Sequence, residues 1–230
     1  MITNNYDAVL ENIKQACKNA GRDENEITLI AVSKTKPMSD IEELIAHGVR
    51  EFGENKVQEL CGKYEIASCP VNWHLIGHLQ TNKVKYIVDK VALIHSVDSI
   101  HLAKEIDREA AKKKVCVPIL LQVNIANEDT KFGVRAEEVY ELIDGIRDLN
   151  NIKVKGLMTI APFVENPEDN RGHFRNLYQL LLDIKSKCID NIDMSILSMG
   201  MTNDYMVAIE EGATMVRVGT GIFGERNYSI

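Results

Sequence analysis

One lysine and one arginine carry most of the chemistry that the sequence offers. Lys34 closes the apolar run Ile27-Thr28-Leu29-Ile30-Ala31-Val32, which reads as a buried parallel strand bounded by Pro37. An amine at the mouth of such a strand is partly desolvated, which disfavours the ammonium and leaves a nucleophile near neutral pH. Such an amine condenses with aldehydes, and the commonest biological partner is pyridoxal phosphate (PLP), held as a Schiff base. A plainer alternative stands beside it: a strand-end lysine whose stem packs on apolar surface while its head stays in water. Lys36 is the rival amine and ranks lower, because it abuts Pro37 and is already leaving the strand.

Arg217 lies in Met215-Val216-Arg217-Val218-Gly219-Thr220 and precedes Gly219 by two, so both share one side of a strand. An inward guanidinium needs an acceptor. That acceptor is either a carboxylate or the pyridine nitrogen of PLP, which an arginine leaves unprotonated and therefore a weaker electron sink. Ser198-Met199-Gly200-Met201 and Gly219-Thr220 together read as a phosphate cup. Gly200 and Gly219 let backbone N–H groups approach an anion, Ser198 and Thr220 add hydroxyls, and a helix opening near Asn203 adds its positive end. Tight turns after strands account for the same glycines. His74 and His78 share a strand–turn segment rather than one helix face, so no metal site is expected; His74 reads as a structural histidine, lining a barrel mouth with Gly77. Ser198 lacks the elbow context of a catalytic serine.

These residues need elements to bring them together. An amphipathic helix over 5–20 stops at Gly21. Strand-like runs follow at 27–33, 50–53, 71–77, 91–97, 115–125, 152–160, 192–199 and 213–218. Helical patterns fill 39–48, 54–67, 81–88, 99–114, 135–149, 168–188 and 203–211. Ser39-Asp40, Asp98-Ser99 and Asn203-Asp204 look like helix starts, and Gly48 and Gly212 like helix stops. Strict alternation predicts an α/β fold, a single TIM-type β/α barrel with an extra N-terminal helix, whose strand ends gather the site. An open doubly wound sheet is the runner-up, but Ser33-Lys34-Thr35-Lys36-Pro37 carries no dinucleotide-binding glycines.

Residues 1–230 suit one domain, with 45% hydrophobic residues to build its core. No apolar stretch is long enough to span a membrane, and the first residues show no signal peptide. Cysteines 17, 61, 69, 116 and 188 are odd in number and lack CxxC spacing, which predicts reduced thiols in the cytoplasm. A net charge of −7 argues against a nucleic-acid partner, and Lys112-Lys113-Lys114 reads as a solvated helix end.

The blocks 31–37, Phe52-Gly53-Glu54-Asn55, Trp73-His74-Leu75-Ile76-Gly77, Leu79-Gln80-Thr81-Asn82-Lys83, Gly156-Leu157-Met158, 198–201 and 215–220 resemble, in order, those of the YggS/PROSC proteins. Ile222-Phe223-Gly224 continues the likeness. His78 departs from it, standing where some members carry proline. The resemblance implies the fold of the barrel domain of alanine racemase and a role in PLP homeostasis. It implies Lys34 as the PLP anchor, Ser198, Gly219 and Thr220 around the phosphate, Arg217 near the pyridine nitrogen, and Asn55 and Met158 lining the cofactor. Only ten residues follow Thr220, so a second domain that would close a racemase site is not expected. The expectation is therefore a monomeric, non-catalytic holder of PLP that buffers it or passes it to apo PLP enzymes. The alternative is a PLP enzyme with weak amino-acid racemase or lyase activity.

Overall fold

A computed structural model describes residues 1–128 and 130–225; the last five residues of the expected short tail lie outside the described ones. Eight parallel strands close into a barrel in sequence order: β1 (Thr28–Val32), β2 (Glu51–Glu54), β3 (Asn72–Leu75), β4 (Leu93–Val97), β5 (Val117–Gln122), β6 (Ile152–Met158), β7 (Ile192–Ser198) and β8 (Met215–Val218). Closure rests on β1, which pairs with β2 on one side and β8 on the other, Ile30 facing Arg217 in register. The connecting helices are α2 (Met38–Ala46), α3 (Val57–Ile66), α4 (Ile100–Lys113), α5 (Val139–Ile146), α6 (Arg171–Ser186), α7 (Tyr205–Glu210) and α8 (Thr220–Phe223). Among the described residues no helix is long and apolar enough to cross a membrane.

Side chains alternate across each strand, and the apolar ones fall into two separate clusters. Ile119, Leu121, Leu157, Leu197 and Val216 point outward into the large core shared with the helices. Their strand neighbours Leu120, Met158, Ile196 and Met215 point inward, where they pack with Leu93 inside the barrel. The added helix α1 (Ile2–Ala20) buries Val9, Ile13, Ala16 and Cys17, one stripe at helical spacing, and packs on α7 and α8. It ends at Gly21, whose φ of 64° is the left-handed cap that glycine favours.

Two local expectations change. Helix α2 begins at Met38, directly after Pro37, so the start lies ahead of Ser39-Asp40. Pro37 takes the N-cap position with φ −68°, the value its ring imposes, and the residues after it wind at once. Residues 81–88 form no α-helix; Thr81–Tyr86 winds as a 3-10 helix. Val84 within it and Ile87 just after it are both fully buried, three apart, a spacing that the tighter winding brings into line. Ser99 does cap α4, its hydroxyl accepting from the Leu102 N–H at 3.2 Å.

Candidate functional site

The turn after β1 holds Lys34 half-buried between two pinned neighbours. The Ser33 hydroxyl donates to Glu54 Oε1 at 2.5 Å, and the Ser33 carbonyl accepts from Lys63 Nζ at 2.8 Å. Lys63 reaches up from α3, almost fully buried, and also donates to Glu54 at 2.7 Å and Glu59 at 2.6 Å. Glu59 in turn accepts the Thr35 N–H at 2.6 Å, and Thr35 takes a left-handed φ of 63°. Burial pushes the Glu54 carboxyl up, and hydrogen bonds from Lys63 and Ser33 only partly offset it. A paired lysine beneath the turn thus fixes the backbone on both sides of Lys34.

Lys36 is held by backbone carbonyls. Its Nζ donates to the carbonyl of Phe223 at 2.9 Å, with Gly224 and Glu225 carbonyls at 3.4 Å, and so caps the end of α8. Asn5 on α1 clasps the same helix, donating to the Ile222 carbonyl at 3.0 Å.

At the other side of the rim the hydroxyls are those of Thr220 and Thr202. They lie 3.1 Å apart, and Thr202 Oγ1 accepts from the Gly221 N–H at 3.3 Å. The two hydroxyls hold two protons and share one bond, which leaves a proton to offer an anion. Gly221 permits the approach, since a Cβ there would lie 3.2 Å from Thr202 Cγ2 and 2.9 Å from Val218 Cγ1. Gly219 abuts β1, its position for a Cβ 3.5 Å from Val32 Cβ, so this rim adjoins the strand that ends at Lys34.

Three expectations for the cup shift. The Ser198 hydroxyl is fully buried, and its hydrogen bonds run to Arg217 and His95 below the rim. Its place two residues before Gly200 puts it on the barrel interior, while Thr202, two residues after, reaches the rim. Gly200, with φ 89°, is required by packing on α7: a Cβ there would come within 2.8 Å of Tyr205 Cα. The helix start near Asn203 carries its own carboxylate, since buried Asp204 stands there, accepting the Met201 N–H at 2.7 Å and the Asn170 amide at 2.8 Å.

Arg217 is 4% exposed. Its Nη1 donates to Ser198 Oγ at 2.6 Å and its Nη2 to the Thr159 carbonyl at 2.7 Å. Among the described residues no carboxylate pairs with it at salt-bridge distance. Burial lowers its pKa to about 10, with Asp204 pulling the other way, so it stays charged at neutral pH. Beyond Ser198, His95 Nδ1 lies 3.0 Å from the serine oxygen, His95 Nε2 lies 2.9 Å from His74 Nδ1, and His74 Nε2 lies 2.6 Å from Glu51 Oε2. His74 is therefore satisfied, as a structural histidine should be, but it sits inside the barrel and leads toward the N-terminal end of β2, not at the mouth. Met158 is buried in the interior cluster, and Asn55 is half-buried in the turn after β2. Gly77 presses on that turn; a Cβ on it would meet the Asn55 carbonyl at 2.5 Å.

Glu51, Lys63 and Thr202 escaped the sequence reading, and His95 counts there only as a strand-end residue without a task. Signals existed for two of them: His95 follows inward Leu93 by two, and Thr202 follows Gly200 by two.

Residues 5–227 match the family described as alanine racemase, N-terminal domain. A pyridoxal phosphate homeostasis protein of Aquifex aeolicus is 49% identical over 221 residues, 96% of either chain. The chain belongs to the YggS/PROSC family. Solved structures place the family's fold beside this one. An unknown protein from Bifidobacterium adolescentis superposes with a TM-score of 0.90 at 36% identity, covering 96% of this chain and 94% of that one. PipY of Synechococcus elongatus, solved with PLP bound, gives 0.81 at 32% identity over 93% of this chain and 100% of that one.

Proposed function

We propose that this chain binds pyridoxal 5'-phosphate through Lys34 and serves PLP homeostasis, holding the cofactor for buffering or delivery. The observation that carries this is Arg217, a buried guanidinium with neutral oxygen acceptors alone, set beneath a hydroxyl-lined rim. A buried cation without a carboxylate needs a further acceptor, and a ring nitrogen is one. The residues fit the group: an amine at one strand end, donors at the adjoining rim, and a guanidinium below. When bound, PLP supplies an aldehyde that a primary amine captures and a ring that delocalises charge.

Each residue then has a task. Lys34 supplies the attaching amine, held in place by the Lys63–Glu54–Glu59 brace. Thr202, Thr220 and the backbone of Gly219 receive phosphate oxygens, while Ser198 acts through Arg217. Gly200 shapes the turn, and Asn55 and Met158 line the ring. Arg217 donates and never accepts, so it leaves a ring nitrogen without a proton and restrains carbanion chemistry. That restraint, with the homeostasis role named for the relatives, favours a holder over a racemase or lyase. The chain acts as one barrel domain and a monomer in the cytoplasm, with apo PLP enzymes as recipients.

Borohydride reduction of the PLP-loaded protein tests this. Wild type is expected to retain the cofactor on the Lys34 peptide and Lys34→Ala to retain none. Trapping on Lys36, or no uptake of PLP, overturns it. Rapid exchange of amino-acid Cα protons in heavy water would point to an enzyme instead. Light scattering reads the oligomeric state, and transfer to an apo PLP enzyme faster than from free PLP reads delivery.

A further inference from the structure

Five polar side chains cross the inside of the barrel in one unbroken line: Glu51, His74, His95, Ser198 and Arg217. Neither end of this line can reverse. A guanidinium has only donors, and an ionised carboxylate only acceptors. Burial alone would raise the Glu51 carboxyl, but hydrogen bonds from His74 and Asn72 outweigh it and hold it below its ordinary value. Glu51 is thus an anion.

The protons between the ends follow from counting. Ser198 Oγ accepts from Arg217 Nη1, and among the described residues its one other hydrogen-bond partner is His95 Nδ1. Ser198 is fully buried, so no water takes its proton. His95 Nδ1 must accept it. His95 therefore carries its own proton on Nε2 and donates to His74 Nδ1, and His74 donates from Nε2 to Glu51. A proton on both nitrogens of His95 is opposed by burial first and by the charges of His74 and Arg217 next. Reversal would aim two donors at Ser198 and leave its own hydroxyl proton buried without an acceptor.

We propose that Glu51, His74 and His95 are positioning residues, a one-way hydrogen-bond line that turns a lone pair of Ser198 toward Arg217 and so fixes the guanidinium. The direction of the line stands without any cofactor. Its use, seating Arg217 against the ring nitrogen of PLP, rests on the function proposed above. Glu51 has 29% of its side chain exposed at the N-terminal end of β2, so the line starts at the end of the barrel opposite the phosphate rim.

Nitrogen NMR of the histidine rings, on protein free of PLP, reads the direction. Wild type and Glu51→Gln, which keeps an acceptor oxygen, are expected to show His95 protonated on Nε2 and bare on Nδ1. Glu51→Lys presents only donors, so His74 should move its proton to Nδ1, where it meets the Nε2–H of His95 and breaks the line. With Arg217 loosened, PLP should then leave Glu51→Lys about tenfold faster than wild type and leave Glu51→Gln at the wild-type rate. His95 protonated on Nδ1 in wild type overturns the proposal, as does wild-type PLP release from Glu51→Lys. If Glu51→Lys does not fold, the wild-type spectrum still decides the direction, and His95→Leu, which gives Ser198 no acceptor, carries the release measurement. A wild-type protein that takes up no PLP defeats the binding function and leaves the ring-nitrogen result standing.

Discussion

Thr202 and Ser198 divide two tasks that one hydroxyl cannot perform. Ser198 gives its proton inward to His95 and its lone pair to Arg217, whereas the Thr202–Thr220 pair keeps a proton for the rim. Thr202→Val should therefore weaken PLP about tenfold, the worth of one hydrogen bond to a charged group, and leave pyridoxal without its phosphate unchanged. Paired equilibrium titrations check it; an equal loss for both ligands would place Thr202 elsewhere. His95 leaves a mark on acid stability. Its folded-state pKa lies well below 6.5, so between those values the unfolded chain binds a proton that the folded chain refuses. Stability should fall as pH drops below 6.5, by up to about 1.4 kcal/mol per pH unit, with no contribution above it. His95→Gln should flatten that limb in urea titrations at stepped pH. Lys34, Arg217, Gly219 and Thr220 were visible as candidates because each stands out from its own strand. His95 and Glu51 were not, because a line of hydrogen bonds runs between strands far apart in sequence.

At the scale of elements, the brace under Lys34 is the part most open to attack. Lys63 lies on α3, Glu54 ends β2, and Ser33 follows β1, so one ammonium joins three elements. Lys63→Met would leave Glu54 fully buried with its cation gone and the Ser33 hydroxyl as its remaining donor, and should cost about 3–5 kcal/mol in chemical denaturation. Its effect on PLP uptake should exceed that of an equally destabilising change in α4, because the turn carrying Lys34 loses its anchor. The barrel was legible from strand–helix alternation, and strand centres lie where the apolar runs place them. Ends were less so: β3 stops at Leu75, short of the apolar Ile76, and β5 at Gln122. There the regular ladder gives way to single bonds, the Ile76 N–H donating to the Glu54 carbonyl at 2.9 Å and the Val123 N–H to the Met158 carbonyl at 2.8 Å. The same limit hid the 3-10 winding of Thr81–Tyr86, whose residue types suit either helix and whose choice was made by what Val84 and Ile87 pack against.

Across the whole molecule, the amphipathic stripe of α1 announced a helix that packs on the barrel, but not the part of the barrel it would serve. It covers α7 and α8, and Arg22 just beyond it donates to the carbonyls of Ile209 and Ala213, both at 2.8 Å. Helix α8 has four residues, too few to persist alone, and it is held by Asn5 and Lys36 from behind. The proposed phosphate rim therefore depends on those two clasps and on the buried side chains of Ile222 and Phe223. How long a ligand stays becomes a question of fraying: each time α8 unwinds, the proposed phosphate contacts of Gly219 and Thr220 would let go together, and the lifetime of the bound state would follow the opening frequency of this one turn. Hydrogen exchange at the amides of 222–224 should then run in step with ligand release, and Asn5→Ala should quicken both by the same factor while leaving the rate of capture unchanged.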